Sequence, residues 1–537
     1  MKIFFRSAKA AVPFIFLLVA VFAVRILHTS AAGLQPTGPD RFTIVKQEYT
    51  GYEWWLTGWT DNQVACSIVI DHDGKPSPGE IREACGTSLY EKWLSTKPCE
   101  TSEENPSICK GYYLLFFKSW PAQRDLKVVL PPPVIWVSLD GCVSYNSTYQ
   151  CDALPTLVLT GEEPLQGEHI TSLVVQMNGK TFSCDDICQV DLAPTNNDGL
   201  FLEFWANSSY GDTSVIFNAR VRVEHSGDST DNHWFVDILS SQWRGEPLAG
   251  CSQTWGTFPP IGGVPLWLST PGRADDLETK RTYEYLSVKL ITLGMVDASS
   301  CSDGGLLEGG VASPCGLEAA KGAVVAWQNQ FNDLIFNAAN QTGIPAHLLK
   351  RIFSRESQFW PGMTIGHPEA GLGQMTVGGA DTTLLWNRPF YEQFCPSVLD
   401  GSACRLGYPH LDRKQQDKLR NDLVSSVNAF CPDCQMGIDM QRAENSVSTF
   451  AETIVANCVQ TGMVVDLNNR TNSPVAFEDL WRFTLVNYNA GPGCLGLAVD
   501  ATSRLAEPLD WKHLSTHLTP VCRGALEYVT DISGVAP

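Results

Sequence analysis

Positive charge is what this 537-residue chain lacks most: 38 Lys and Arg stand against 58 Asp and Glu, a net charge of −20. Phosphate backbones are held by clustered cations, so the composition speaks against a nucleic-acid partner. Nor does a global field draw the protein to anionic wall polymers or anionic lipid surfaces; such a polymer must be held by local contacts. Long apolar runs are also missing, apart from one near the N-terminus. A bilayer span takes about 20 apolar residues, and no other stretch approaches that, so no transmembrane partner is implied. Metal-ligand spacing is absent as well. Cys431-Pro-Asp-Cys434 has no second C-x-x-C and no spaced His pair to complete a zinc cage, and Asp71-His72-Asp73 has no third ligand cluster. No thioredoxin-like βαβ pattern surrounds the C-x-x-C, which leaves structural disulfides, to each other or to different partners. Neither metal nor organic cofactor is expected.

What is present reads as an exported, multidomain protein. The hydrophobic fraction of 44% against 18% charged fits globular domains, and the length is too great for one core. Lys2, Arg6 and Lys9 precede an apolar run from Val12 to Val24 and then Ser30-Ala31-Ala32, the pattern of a signal peptide over residues 1–32. An uncleaved anchor is the lesser reading. The expected location is extracellular, at the cell surface or in a periplasm. Eighteen cysteines suit an oxidising compartment, with Cys142–Cys151, Cys184–Cys188, Cys301–Cys315 and Cys395–Cys404 as pairs by proximity.

Residues 33–155 carry aromatic and β-branched runs such as Tyr52-Glu53-Trp54-Trp55 and Tyr112 to Phe117, expected as short strands of a disulfide-containing β domain. Trp54, Trp55 and Trp59 are a candidate sugar-stacking platform, though core packing is the stronger reading. Residues 156–228 alternate cleanly and predict an immunoglobulin-like sandwich. These β modules are expected to bind cell-wall glycan or another protein. Residues 229–314 read as connecting structure with strand-like runs, including Ser287 to Ile291. From 315 to 537 the period becomes helical. Val324, Trp327, Phe331, Leu334 and Ile335 make one apolar face. Leu419, Leu423, Val427 and Phe430 make another, Val447, Phe450, Ile454 and Cys458 a third, and Phe477, Leu480, Trp481, Leu485 and Tyr488 a fourth.

Polar groups break two of these stripes. A helix starting near Gly343 and Pro345 carries Leu348, Leu349, Ile352 and Phe353, and its next inward position is Glu356. Pro361-Gly362 is the expected stop. A carboxyl ringed by apolar side chains has a raised pKa, which is what a general acid needs near neutral pH. Two segments accompany it: Gly371-Leu372-Gly373-Gln374-Met375, and Tyr488-Asn489-Ala490-Gly491-Pro492-Gly493 at the end of another helix.

Glu356-Ser357, then Gly371-Leu372-Gly373-Gln374 some fifteen residues on, then Tyr488-Asn489-Ala490-Gly491 about a hundred residues later, resembles the soluble lytic transglycosylase family. These lysozyme-like enzymes, related to goose-type lysozyme, cleave peptidoglycan glycan strands. The closing helix around Tyr528 resembles the family's last helix, so the resemblance covers roughly Cys315 to Gly534. The family usually has Met at Gly373 and a Gly-Ala pair at Pro368-Glu369. For that region the resemblance implies an α-helical lysozyme-like domain, with peptidoglycan strands as the partner; it says nothing of the all-β modules that precede it, which rest on strand patterning alone. Glu356 is then the catalytic residue. Ser357, Gly371, Leu372, Gln374, Met375, Tyr488, Asn489 and Tyr528 hold or line the substrate site. The product is a 1,6-anhydro-muramic end, with no water consumed. Two alternatives stand beside it. Hydrolysis by a goose-type muramidase needs a second carboxylate, for which Glu369 is the first candidate and Asp381 the next. A degenerate, non-catalytic wall-binding or adhesion protein is the other.

Overall fold

The computed structural model describes residues 41–97, 110–227, 233–245, 250–362, 369–434 and 437–535. The signal reading over 1–32 and Pro368 lie outside them. The chain is multidomain, with β-sheets in its N-terminal part and helices in its C-terminal part.

One compact unit comprises the described residues up to Pro133 with Glu163–His169 and Ser208–Ser214. Its sheet is built on β1 (Phe42–Gly58), which pairs antiparallel with β2 (Val64–Ile70) and with β3 (Tyr112–Val129) in the order β2-β1-β3. The short strands expected here are instead 17 and 18 residues long in β1 and β3. Two helices were not foreseen: α1 (Pro78–Cys85) and α2 (Thr87–Leu94). Ser77 and Glu80 form a reciprocal capping box at the start of α1, which satisfies otherwise orphaned N–H groups. Cys66–Cys85 ties that helix to β2. Strand alternation sends neighbouring side chains to opposite faces, and this separates the tryptophans. Trp54 packs against the small core of Leu56, Ile68, Ile70 and Ile81. Trp55 stacks on Phe117 at 3.7 Å between ring centroids and Trp59 lies against Tyr113. The three do not form one platform.

The second unit contains an eight-stranded sheet and the helices that follow it. Its strands are β4 (Val134–Tyr145), β5 (Thr148–Glu162), β6 (Ile170–Met177), β7 (Lys180–Cys184), β8 (Ile187–Asp191), β9 (Leu200–Ser208), β10 (Phe217–His225) and β11 (Trp234–Leu239). The order is β4-β5-β11-β10-β9-β6-β7, with β8 also pairing β5. Along one edge β5 pairs β11 through Tyr149–Cys151, then β8 through Thr156–Thr160. Changing partners part-way along a strand lets one sheet wrap a single core. That core takes alternate residues, such as Leu202, Phe204 and Ala206 from β9 and Ala219, Val221 and Val223 from β10. Between them, Arg222 and Asp237 are direct cross-strand neighbours and form a buried ion pair at 2.5 Å.

The region read as connecting structure is shared out. Its start gives β11, and Val264, Trp267, Leu277, Tyr283, Leu286 and Leu290 join the helical core. Ser287 to Ile291 lie in a helix, α3 (Glu284–Thr292), and not a strand, because Leu286 and Leu290 must face that core four residues apart. Cys251–Cys458 spans 207 residues to tie the same region to the middle of α9 (Met440–Asn468).

The stripe from Val324 to Ile335 is divided between α4 (Pro314–Asn329) and α5 (Asn332–Thr342), with Phe331 at the break. Then come α6 (Ala346–Glu356), α7 (Val377–Trp386), α8 (Arg413–Val427), α9, α10 (Phe477–Ala490), α11 (Pro492–Arg504) and α12 (Gly524–Ser533). Leu419, Leu423 and Val427 of α8 are fully buried. Phe430, expected on that face, is exposed, since α8 has ended and the chain turns into a bridge between Phe430 and Ile438. Among the described residues eight disulfides form. They include all four pairs expected by proximity, and Cys431 bonds to Cys434 itself. Cys494–Cys522 was not foreseen. Among the described residues no helix is long and apolar enough to cross a membrane.

Candidate active site

Helix α6 stops earlier than Pro361-Gly362 would require. Its last residue is Glu356, and Gln358 and Phe359 then adopt left-handed backbone conformations at φ 49° and 63°. Phe359 is drawn back into the core, fully buried, and its N–H donates to the Phe353 carbonyl. Burying that ring ends the helix, and Glu356 is left at the helix end facing a cleft. Ser357 locks the arrangement. Its hydroxyl donates to the Leu372 carbonyl at 2.7 Å, joining the Glu356 helix end to the Gly371–Gln374 turn.

That turn is a tight hairpin closed by reciprocal bonds between Ala370 and Met375. Gly371 (φ 77°) and Gln374 (φ 53°) take the left-handed region, and the Gln374 amide donates to the Gly371 carbonyl at 2.8 Å. Gly373 is required by packing. A Cβ there would lie 2.4 Å from the Phe450 ring. The Phe450 ring of α9 fills the space that a side chain there would take.

The cleft, of about 400 Å³, brings together Glu356, Glu369, Gln374, Met375, Tyr488 and Asn489. Gly371, Leu372, Ser357 and Tyr528 are not on its surface. They are buried and do not line it. Tyr488, near the end of α10, donates its hydroxyl to the Gly373 carbonyl at 2.6 Å and stacks on Tyr528 of α12. Three elements distant in sequence are thereby fixed around one carboxyl.

Burial pushes the Glu356 carboxyl up to about 7, the negative charge of Glu369 adds to the rise, and Tyr528 and Arg355 oppose it. Tyr528 has a buried hydroxyl with no other hydrogen-bond partner. Arg355 is engaged elsewhere, with Asp531 at 3.1 Å. Both phenols are held well above their ordinary range by burial, and further by the Glu356 charge. They stay protonated and serve as donors. Asp381 is not in the cleft. It accepts from Tyr408 and Arg420, so it is not placed to activate water at Glu356.

Several lining residues escaped the sequence reading. Asn487 and Asn457 form a buried pair, with Asn487 Nδ2 donating to Asn457 Oδ1 at 3.0 Å. Asn487 Oδ1 has no partner. The signal was available, since both amides interrupt otherwise apolar helix faces. Phe450 was read as core, and it is both core and cleft wall. Among the described residues no group of three or more His, Cys, Asp or Glu is placed to hold a metal ion.

No protein-family model matches the chain, and neither curated proteins nor solved structures yield a match.

Proposed function

We propose that this protein cleaves the β-1,4 bond between N-acetylmuramic acid and N-acetylglucosamine in peptidoglycan, as a lytic transglycosylase with Glu356 as its acid. The observation that carries the reading is a carboxyl at a helix end, in a cleft, beside Tyr488, Tyr528 and the like charge of Glu369, with its pKa pushed up to about 7. Such a group is protonated often enough to act as an acid and ionises readily enough to act as a base. Glu356 gives its proton to the glycosidic oxygen as the bond to C1 breaks. The resulting carboxylate takes the proton of the muramic O6 hydroxyl, whose oxygen bonds to C1 and closes the anhydro ring. Participation by the substrate's N-acetyl group replaces a protein nucleophile, a known exception to the two-carboxylate rule. The unpartnered Asn487 Oδ1 is an acceptor suited to that group's amide N–H.

Hydrolysis is the second reading, and Glu369 favours it by lining the same cleft and acting on Glu356 through its charge. One experiment separates the two. The full chain, with disulfides intact, is incubated with purified peptidoglycan and the products are weighed by mass spectrometry. Muropeptides one water lighter than hydrolytic fragments, absent with Glu356→Gln, are the expected result. Reducing muramic ends, lost with Glu369→Gln, make the protein a hydrolase. Glycan binding without either product sinks both readings and leaves a wall-binding protein.

A further inference from the structure

Helix α6 has a second face that the glycan reading does not use. At 100° per residue, Lys350, Arg351, Ser354 and Arg355 lie on the side away from Leu349, Ile352 and Glu356. They line a separate cleft of about 500 Å³ with the segment Thr279 to Glu284 and with Asp531. We propose that this cleft is an anion site that takes a phosphate-bearing ligand, gripped by Arg281 and Arg351.

Charge is the first argument. In a protein of net charge −20, four cations (Arg281, Lys350, Arg351 and Arg355) face this one cleft against two carboxylates, Glu284 and Asp531. Asp531 is already taken by Arg355 at 3.1 Å. Arg351 donates to the Ile532 carbonyl and has no carboxylate partner among the described residues, and the Arg281 guanidinium is close enough to repel it. Like charges are held together at a cost that an anion between them removes.

Lys350 supplies the second argument. Its ammonium is buried beneath the cleft, and all three of its partners are neutral: the Leu277 carbonyl at 2.5 Å, Asn329 Oδ1 at 2.7 Å and Asn332 Oδ1 at 2.6 Å. These satisfy its hydrogens and leave its charge uncompensated. Exposed Glu278 acts on it only through its field, and burial lowers its pKa to about 8. A buried unpaired charge is expensive. Lys350 lines the same cleft as Arg281 and Arg351, so its positive potential adds to theirs.

The lining hydroxyls decide for phosphate over carboxylate. Ser354 Oγ accepts from the Tyr283 hydroxyl at 2.8 Å, so its own hydrogen is free for a ligand. Thr282 adds another hydroxyl at the wall. Two guanidiniums and two hydroxyls from separate elements suit a tetrahedral oxyanion with several acceptor oxygens better than a planar carboxylate with two. The proposal does not depend on glycan cleavage.

The test is calorimetric titration of the full chain with inorganic phosphate at constant ionic strength. Saturable binding is expected, weakened at least about tenfold in Arg281→Ala, the loss of one charge-assisted contact. Arg281→Lys falls in between, because it keeps the charge and loses the fork. Arg388→Ala, at an exposed arginine of another helix, leaves the affinity unchanged. An unaltered unfolding midpoint of Arg281→Ala without phosphate separates lost binding from lost fold. Glycerol 3-phosphate and a glycerophosphodiester oligomer, run in parallel, distinguish a small phosphomonoester from a polymer backbone as the natural source. Absence of saturable phosphate binding overturns the proposal. So does equal affinity in Arg281→Ala, acetate binding as tightly as phosphate, or rejection of both organic phosphates.

Discussion

The second unit buries a carboxylate in its sheet and half-buries another at its cleft, and their surroundings are opposite. Asp237 in β11 is almost completely enclosed, and burial pushes its carboxyl up while Arg222 across the strand pair pulls it down. Two bonds of 2.9 and 2.5 Å from one guanidinium fix that pair, and the Pro259 carbonyl takes a further hydrogen. Glu356 forms no salt bridge among the described residues, and Arg355, paired with Asp531, acts on it only through its charge. Its neighbours are Tyr528, Tyr488 and a second negative charge, Glu369. Burial alone therefore does not make an acid. A buried carboxylate with its own cation is a structural tie, whereas one left with phenols and a like charge keeps a proton near neutral pH.

The largest expected effect attacks the tie. Asp237→Ala leaves Arg222 buried and unpaired and should cost about 3–5 kcal/mol of stability, read from the denaturant midpoint. An effect below about 1 kcal/mol would show the pair to be ornamental and would erase the contrast with Glu356.

Next is Glu356→Gln, expected to stabilise at alkaline pH. The folded pKa near 7 lies above the ordinary value of 4.5, so the folded state binds more protons than the unfolded one between those values. Stability from this group is present at acid pH and is lost as pH rises from about 4.5 to 7. The full loss is on the order of 3 kcal/mol. Wild type and Glu356→Gln should match near pH 4 and diverge by pH 8, with the variant the more stable. Curves that stay parallel across that window would mean that Glu356 titrates normally.

The smallest effect sharpens the site itself. Tyr528 opposes the rise of the Glu356 pKa, so Tyr528→Phe should raise it further. In the proposed glycan cleavage, the alkaline limb of kcat/KM, set by loss of the Glu356 proton, then moves to higher pH, by less than about one unit. A shift to lower pH would assign Tyr528 to stabilising the protonated form instead.

How much of this could be read beforehand follows from where the deciding contacts lie. Glu356 was legible because its inward position is set by its own helix: Ile352 and Phe353 stand four and three residues before it. The close cysteine pairs were legible for the same local reason. Phe430 was misplaced because a helical stripe does not announce where its helix ends. The run from Ser287 to Ile291 misled because five residues fit either period, and only the core packed by Leu286 and Leu290 selects the helix. Cys251 and Cys458, 207 residues apart, carry no local mark of their pairing.

By itself the sequence determined the order of β-rich and helical parts, the inward position of Glu356 and the glycine turn that faces it. These depend on periodicity and backbone preference over a few residues. Only the tertiary structure decided that Tyr488 and Tyr528, from helices far along the chain, enclose that carboxyl. It alone left Lys350 buried among neutral acceptors and packed Phe450 against Gly373. Such outcomes depend on desolvation and on which groups meet, and both are properties of the packed molecule that no short window of sequence contains.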